Sequence, residues 1–584
     1  MPELSVDQAF ALALEHHRAG RLAEAEQLYR AILASEPQHA DSLNLLGVIA
    51  LQAGNLPSAL ALVQRSVALR PDSAICRNNL GQVFEAHGRD DEAVRCYEAA
   101  IALEPTYAEA HNNLGLMRAR RDRLADAEAH YRKAIELAPE YAEPYTNLGN
   151  LLKDRGELDA AIGCYRRAVE IRPDLSQLHS NLLLTLHYHP ECSPDDLLRE
   201  HRAWAERHVA PLVPARRPHP NTPEPERRLR VGYVSPDFRE HPVARFMLPL
   251  LREHDRRRFE VVAYSDVTSP DPVTGMLRRH VDQWRDVARL GDDRLADVVR
   301  ADGIDILVDL AAHSGRNRML TFARKPAPVQ VTYLAYCSTT GCDAIDYRVT
   351  DRCLDPPEEP SHYTESSLHL PHCYWCYSAP PLGRGAAQRL AGPPTFGCLN
   401  NFAKVTDITL ELWTRLLQRV PEARLLVYAR AEPHRERVRR ALREAGLDTS
   451  RAAFVGYQSL AAYFETYREI DVALDPHPDG GGTTSCDALW MGVPVVTLAG
   501  RTAVSRAGTT LLCNVGLDDL IARNAEQYVD LAEELMRDAD RLAELRRDLR
   551  ARLESSPVMD APQFARDFEA ALRNVWRAWC ERRG

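Results

Sequence analysis

The chain has 584 residues, 27% of them charged, with a formal net charge of −10 and a sequence pI near 6.1. This length exceeds that of one ordinary domain and predicts about three or four units, each large enough to bury a core. The acidic balance argues against a nucleic-acid binder or a protein that docks on acidic membranes, because both present a basic surface. The sequence has neither a leader-like start nor an apolar run long enough to span a bilayer, which predicts a soluble, cytoplasmic chain.

Thirteen cysteines are scattered along the chain, and their spacing does not indicate a metal site. Cys373 and Cys376 form a CxxC pair in "HCYWC", but no second pair completes a zinc-binding set. We therefore expect reduced, buried thiols. The strand ends that carry the candidate site residues show no DxD-like pair either, so the sequence does not call for a metal.

A 34-residue period runs through the first third of the chain. Three series keep this step: Pro37, Pro71, Pro105, Pro139 and Pro173; Gly47, Gly81, Gly115 and Gly149; and Ala25, Ala59, Ala93, Ala127 and Ala161. The pattern is typical of tetratricopeptide repeats, in which small residues let two helices approach and a proline ends the second helix. It predicts an α-solenoid of five repeats and a partial sixth over residues 1–190.

An asparagine recurs at one helical position of these repeats. The series is Asn79, Asn113, Asn147 and Asn181. A row of amides in the groove of a solenoid can hold the backbone of an extended peptide, which would make proteins the partners of the array. The alternative is that the asparagines satisfy turns between repeats, but asparagine is disfavoured inside helices without a purpose.

The remainder alternates strand-like and helix-like segments. Residues 191–228 combine a helical segment with a proline-rich, charged stretch and are predicted as a linker. Apolar runs such as "LRVGYVS", "FEVVAYS", "IDILVDL", "ARLLVYA" and "IDVALDP" indicate strands buried on both faces. They predict two doubly wound, Rossmann-like α/β lobes, over residues 229–378 and 379–559. Residues 560–584 are predicted as a C-terminal helix whose apolar face packs on a lobe.

The stretch "DGGGTTSCDALWMG" follows one of these strands and opens a predicted helix. Glycines let the backbone approach a ligand, and the free amides at a helix start favour an anion. Thr483 and Thr484 add hydroxyl donors, and Asp487 can accept from a ribose hydroxyl. The plain alternative is a strand-loop-helix connection in which Asp487 complements the helix dipole.

Three further candidates also follow strands. Lys404, in "LNNFAKVTD", is one of only four lysines, and its charge can offset the negative charge that builds on a diphosphate leaving group. His241 and His313 are candidate proton acceptors or ligands of sugar hydroxyls. The alternatives are a solvated surface lysine and two packed loop histidines.

Four motifs follow the repeat array in this order: "RLRVGYVSPDF", "KPAPVQVTYL", "LNNFAKVTD" and "GGTTSCDALWMGVPVVTLAGRT". A chain with these features resembles the O-GlcNAc transferase family, which includes bacterial members and the plant Spindly proteins. The resemblance covers nearly the whole chain. It implies a GT-B glycosyltransferase that moves N-acetylglucosamine from UDP-N-acetylglucosamine to protein serine or threonine hydroxyls, with inversion and without a metal or other cofactor.

The resemblance implies roles for the particular residues that match the family's motifs. Lys404 would balance the β-phosphate, Thr483 and Thr484 would bind the diphosphate, and His241 would lie near the reacting centre as candidate base. The donor site would further include Asn401, Gln458, Tyr463, Gly482 and Asp487, the last beside the ribose. The sugar pocket would include His313, Leu334, Ala335 and Thr339.

The chain departs from the family pattern in the sugar and base pockets. "LAYCSTTG" stands where the family usually has "LGYPGTTG", and Leu460 and Tyr463 replace a basic residue and a histidine near the base. Two alternatives therefore stay open: a transferase that uses GDP-fucose, and a repeat scaffold with an inactive transferase region. Retention of Lys404, His241 and the "GGTT" loop favours an enzyme.

Overall fold

The structure is a computed structural model that describes residues 4–334, 336–359, 361–382 and 389–583. The chain divides into two compact units, residues 1–151 and residues 152–584. Within the described ranges, no helix combines the length and the apolarity that crossing a bilayer requires.

The first unit consists of paired helices, as the 34-residue period predicts. Its helices are α1 (Val6–Arg18), α2 (Leu22–Ser35), α3 (Ala40–Gln52), α4 (Leu56–Leu69), α5 (Ala74–Ala86), α6 (Asp90–Leu103), α7 (Ala108–Arg120), α8 (Leu124–Leu137) and most of α9 (Ala142–Asp154). The recurrent glycines allow the two helices of a repeat to touch. A Cβ atom at Gly81 or Gly115 would lie 2.5 or 2.7 Å from the ring of Tyr97 or Tyr131. Both separations are shorter than any van der Waals contact, so a larger residue would push the pair apart.

The second unit begins within α9 and continues through α10 (Leu158–Ile171), α11 (Ser176–Leu186) and α12 (Pro194–His208). Trp204 of α12 is fully buried, and its ring lies 4.5 Å from that of His313 in the first lobe. The proline-rich stretch after α12 is also held on this lobe, by ion pairs from Arg216 to Asp343 and from Arg227 to Asp305. The segment predicted as a linker is therefore a packed part of the second unit.

The first lobe contains a parallel sheet of seven strands in the order β3-β2-β1-β4-β5-β6-β7. The strands are β1 (Leu229–Ser235), β2 (Phe259–Ser265), β3 (Gln283–Asp286), β4 (Ile306–Asp309), β5 (Val329–Thr332), β6 (Tyr347–Asp351) and β7 (Ser366–Leu370). The helices between them are α13 (Pro242–Glu253), α14 (Pro272–Arg278), α15 (Asp292–Ala301) and α16 (Met319–Ala323). Sequence reasoning missed β3 and β7, which lie at the edges and carry partly exposed, polar residues.

The second lobe repeats this topology with six parallel strands in the order β10-β9-β8-β11-β12-β13. Its strands are β8 (Thr395–Cys398), β9 (Arg424–Tyr428), β10 (Ala452–Val455), β11 (Val472–Leu474), β12 (Val495–Leu498) and β13 (Ile521–Ala522). Its helices are α17 (Asp407–Arg419), α18 (Glu432–Glu444), α19 (Leu460–Thr466), α20 (Thr483–Trp490), α21 (Ala507–Val515), α22 (Ala525–Arg537) and α23 (Ala539–Glu554). The predicted pair of doubly wound lobes is confirmed. In both sheets the strand order reverses at the centre, between β1 and β4 and between β8 and β11, where such sheets bind ligands.

The last helix, α24 (Ala561–Glu581), packs on the first lobe although it follows the second in the chain. Phe568 is fully buried, with its ring 5.2 Å from that of Tyr333. A carboxylate oxygen of Glu569 lies 2.8 Å from Nδ1 of His254, at the end of α13. The apolar face predicted for this helix therefore packs against the first lobe.

Candidate active site

The glycine loop after β11 packs tightly against its own surroundings. A Cβ atom at Gly481 would lie 2.0 Å from Oγ of Ser485 and 2.6 Å from Oδ1 of Asp475, whereas one at Gly480 would meet no atom closer than 3.5 Å. Ser485, in α20, donates a 2.8 Å hydrogen bond to Asp475, and burial raises the pKa of this aspartate to about 6. The middle glycine is thus required by the packing of the protein itself. The loop that contains it places the first amides of α20 after the carboxyl end of the central strand β11.

Lys404 lies against this loop. It ends a short 3₁₀ turn after β8, and its Nζ donates 2.8 Å hydrogen bonds to Oδ1 of Asp479 and to the carbonyl oxygen of Gly480. The turn itself is fixed by Asn401, whose Oδ1 accepts from the backbone N–H of Ala403 at 3.1 Å. Burial raises the pKa of Asp479, and the positive charge of Lys404 opposes that shift. The lysine is therefore a partly buried cation at the ends of two central strands.

A cavity of about 420 Å³ joins the two lobes at this point. The predicted residues that line it are His241, Leu334, Asn401, Lys404, Gly482, Thr483 and Thr484. Tyr188, Tyr336 and Trp375 add aromatic surface, and the ring of Trp375 would be 3.3 Å from a Cβ atom at Gly482. The cavity therefore combines a cation, a helix start and two hydroxyl groups, which suit an anionic ligand.

His241 is the N-cap of α13 and enters the cavity from the first lobe. Its Nδ1 accepts a hydrogen bond of 3.3 Å from the backbone N–H of Val243, and Oδ2 of Asp237 lies 3.7 Å from the same nitrogen. Burial lowers the pKa of His241, and Asp237 opposes that shift. The ring is consequently neutral near pH 7, and the N-cap bond assigns its proton to Nε2.

His313 is not among the residues that line the cavity. Its Nδ1 lies 3.0 Å from Oγ of Ser180, and its Nε2 lies 2.7 Å from the carbonyl oxygen of Thr340. The side chain is fully buried, and burial holds its pKa well below the ordinary value. This is the environment of a packed loop histidine, and the sugar-binding role assigned by resemblance stays a prediction.

Other residues assigned to the sugar pocket are divided. Leu334 lines the cavity with a backbone φ of 66°, a strained value for a branched residue. Thr339 instead donates to Oε2 of Glu365 at 2.8 Å and is buried. Ala335 falls outside the described residues.

Asp487 is surrounded by donors from the protein. Nη1 of Arg245 lies 3.0 Å from each carboxylate oxygen, Tyr377 donates a short hydrogen bond to Oδ1, and Tyr463 donates to Oδ2 at 3.1 Å. Gln458 accepts a 3.1 Å hydrogen bond from Thr466. Tyr463, Gln458 and Asp487 are not among the described residues that line the cavity.

The asparagines of the repeats lie inside helices and pair between successive repeats of the first unit. Nδ2 of Asn113 donates to Oδ1 of Asn78 at 3.0 Å, and Nδ2 of Asn147 donates to Oδ1 of Asn112 at 2.9 Å. Asn79 pairs in the same way with Asn44, and Asn181, in the second unit, accepts from Gln177. These positions are not turns, and the pairing orients a row of amide groups.

Comparisons with known proteins agree on one family. The model of glycosyl transferase family 41 matches residues 208–378 and 394–568, and tetratricopeptide models match residues 10–74, 86–121 and 106–174. The chain belongs to glycosyl transferase family 41. Both matched segments carry site residues, because His241 lies in the first and Lys404 and Thr483 lie in the second.

Named relatives of this family 41 chain include plant, animal and bacterial proteins. It is 37% identical over 410 residues to a probable UDP-N-acetylglucosamine–peptide N-acetylglucosaminyltransferase SPINDLY of Arabidopsis thaliana, across 68% of this chain and 45% of the relative. It is 25% identical to the UDP-N-acetylglucosamine–peptide N-acetylglucosaminyltransferase of Caenorhabditis elegans, across 60% of this chain and 41% of the relative. The chain thus spans less than half the length of these curated relatives.

A solved structure of a mutant Thermobaculum terrenum O-GlcNAc transferase matches most of the family 41 chain. The TM-score is 0.81 at 38% identity, and the match covers 88% of this chain and 98% of that protein. The two lobes, which follow the helical repeats in the sequence, therefore form a GT-B-like arrangement.

Three site features of the family 41 chain were missed by sequence reasoning. Asp479 pairs with Lys404, Trp375 packs on Gly482, and Arg245 binds Asp487. A signal existed only for Arg245, which lies four residues after His241 and so shares its helix face. The other two depend on how the chain returns to the cleft from distant positions.

Proposed function

We propose that this chain transfers N-acetylglucosamine from UDP-N-acetylglucosamine to serine or threonine hydroxyls of proteins. The observation that carries the proposal is the position of Lys404 at the glycine loop and the start of α20, in the same cavity as His241. Family membership and the activities named for the relatives support the same reaction class.

The diphosphate of the donor would bind between Lys404 and the threonines at the start of α20. Lys404 is a compact cation held ready by Asp479, while Thr483 and Thr484 offer hydroxyl groups beside the free amides of the helix. Such preorganised donors stabilise charge that develops on a leaving group. This arrangement supports departure of the nucleoside diphosphate from the anomeric carbon without a metal ion.

The transfer would proceed by one displacement with inversion. The oxygen of the acceptor hydroxyl would attack the anomeric carbon as the bond from that carbon to the β-phosphate oxygen breaks, and the hydroxyl proton would pass to the departing diphosphate. Among the described residues that line the cavity, Asp479 is the only acid, and Lys404 already engages it. A second carboxylate that could form a covalent sugar intermediate is not found among them, which supports the single step.

His241 would act beside the reacting centre in its neutral form. Because its N-cap bond occupies Nδ1, the Nε2–H group is available to donate to the sugar or phosphate. Acting as base would require the ring to exchange that N-cap bond. Donation is therefore the role we assign to the resting tautomer.

Protein acceptors would bind along the amide row of the repeats. Asn79, Asn113 and Asn147 are oriented by neighbouring asparagines, which keeps their remaining hydrogen-bonding groups ordered. An extended backbone is the ligand that such a row suits.

The test is calorimetric titration with UDP and, separately, GDP, using Lys404→Ala and the control Lys133→Ala. Lys133 is an exposed lysine of α8 paired with Glu136. UDP should bind the wild type and the control, whereas Lys404→Ala should bind weakly and lose transfer by about 10²- to 10³-fold. Transfer should persist in EDTA.

Other outcomes would redirect the proposal. Preference for GDP would move the donor to GDP-fucose. Binding of neither nucleotide by the folded protein would favour a scaffold with an inactive transferase region. Undiminished transfer by Lys404→Ala would refute the role of this lysine.

A further inference from the structure

A second pocket, of about 240 Å³, lies at the carboxyl ends of three neighbouring strands of the second lobe, β11, β12 and β13. It is lined by the loops that follow these strands, by the end of α11 and by the loop after α11. All of these segments belong to the second unit of the chain. Doubly wound sheets bind ligands outside the carboxyl ends of their strands, so the position suits a binding site.

The lining of this pocket carries unbalanced positive charge. Arg501 and Arg523 line it and are exposed, and no described residue forms an ion pair or a hydrogen bond with either guanidinium group. Arg506, in the same loop as Arg501, is by contrast buried and pairs with Glu359 at 3.0 Å. No acid is found among the described residues that line the pocket. Two cations therefore face it without a partner.

Acids close to the pocket already have partners. Asp159 lies 3.0 Å from Nε2 of His189, a lining residue. Glu526, in the first turn of α22, forms ion pairs with Arg415 and Arg419. These carboxylates are thus engaged elsewhere, and Arg501 and Arg523 remain available to a ligand.

The start of α22 adds to the positive potential of the pocket. Asn524 lines the pocket and is the N-cap of this helix of 13 residues. Its Oδ1 accepts only from the backbone N–H of Gln527, at 2.9 Å, so the amides of Ala525 and Glu526 are not capped. The positive end of the helix dipole and such amides favour an anion.

Two histidines that line the pocket have ring nitrogens without partners. His187 is 5% exposed, and neither of its ring nitrogens has a hydrogen bond with a described residue. Nδ1 of His477 is likewise buried and without a partner. Buried polar groups of proteins almost always have hydrogen-bond partners. A ligand that accepts hydrogen bonds is the kind of partner that this lining lacks.

The pocket is separate from the cavity that holds Lys404. No described residue lines both. Tyr188, Asp479 and Val504 line the cavity, and each is adjacent in the chain to a residue that lines the pocket. The two sites thus lie on opposite sides of the same three loops.

We propose that this pocket is an oxyanion site that binds a phosphate group between Arg501 and Arg523. Guanidinium groups suit this ligand because their planar N–H donors match pairs of phosphate oxygens. The phosphate belongs either to the free ion or to a phosphorylated side chain of a protein, since both present the same oxygens. The inference does not depend on the proposed function of the cavity.

Calorimetric titration of the full chain with sodium phosphate, in the presence and absence of UDP, tests the site. Wild type should bind phosphate with a dissociation constant of about 1 mM or tighter at low salt, whether or not UDP is present. Arg501→Gln and Arg523→Gln should each weaken binding about tenfold, because each removes a charge-assisted contact, and the double variant should show no binding.

The matched control is Arg547→Gln, which changes an exposed arginine of α23 that pairs with its neighbour Asp548. It should bind phosphate as wild type does. Lys404→Ala should also bind phosphate normally, because Lys404 lines the cavity and not the pocket.

A second titration, with the amide of N-acetyl-phosphoserine, distinguishes the two sources of phosphate. Binding that matches inorganic phosphate and is lost in the same arginine variants would assign the site to a phosphorylated side chain. Binding of inorganic phosphate alone would assign it to the free ion.

Three outcomes would overturn the site: no binding of either probe by wild type, binding that survives in the double arginine variant, or binding that is lost only in Lys404→Ala. Failure of the proposed function is distinguishable from these. A wild type that binds phosphate through Arg501 and Arg523 but binds neither UDP nor GDP would refute the proposed function and uphold the oxyanion site.

Discussion

Substitution of Gly481 by alanine gives a quantitative test of the glycine loop. The added Cβ would lie 2.0 Å from Oγ of Ser485, 2.6 Å from Oδ1 of Asp475 and 2.8 Å from Oγ1 of Thr484. Ser485 is only 2% exposed and cannot turn away without breaking its 2.8 Å hydrogen bond to Asp475. Overpacking costs about 1–3 kcal/mol and the lost bond about 1.5–3 kcal/mol, so we expect a destabilisation of about 3–5 kcal/mol.

Scanning calorimetry would measure this loss as a lower melting temperature of the second lobe. At about 2–4 °C per kcal/mol for a lobe of this size, Gly481→Ala should melt roughly 10 °C below wild type. Gly480→Ala is the matched control, because its Cβ would meet nothing closer than 3.5 Å. Melting of the two variants within about 2 °C of each other would refute the close packing assigned to Gly481.

Two further predictions concern the junction after the repeats and the repeats themselves. Burial lowers the pKa of His201 to about 4 in the folded protein, whereas the ordinary value of 6.5 applies to the unfolded chain. Above pH 6.5 the ring is neutral in both states and the folded protein keeps its full stability. Between pH 6.5 and 4 the unfolded chain binds a proton that the folded protein does not, so the stability falls as the pH falls. By about pH 5 the loss is about 2 kcal/mol, and His201→Gln should flatten the fall of melting temperature with acidity; an unchanged slope would contradict this assignment. Replacing Asn113 and Asn147 with alanine should weaken binding of a protein acceptor about tenfold while sparing UDP affinity, and unchanged acceptor kinetics would remove the amide row as a binding surface.

Much of the fold follows from local patterns in the sequence. The proline, glycine and alanine series predicted helix pairs, and the packing at Gly81 and Gly115 indeed leaves no room for a side chain. Central strands were found because both of their faces are apolar. The edge strands β3, β7 and β13 were missed, since a partly exposed or very short strand does not need an apolar run.

The site was predictable only in part, because position at a strand end does not determine where a side chain points. Lys404 and His241 enter the cavity, whereas His313, at an equivalent strand end, points into the packing against α12. Asp487 was recognised as a polar residue near the nucleotide site. Its partner Arg245 is 242 positions away, and only the folded chain brings them together.

The packing of α24 on the first lobe has a consequence for synthesis on the ribosome. Domains generally fold as they emerge, the N-terminal ones first. The first lobe emerges before the second. However, Phe568 and Glu569, the packing partners of Tyr333 and His254, are synthesised only after the second lobe. During that interval the first lobe exposes an apolar face, so a nascent chain stalled within the second lobe would carry a surface suited to chaperone binding or aggregation.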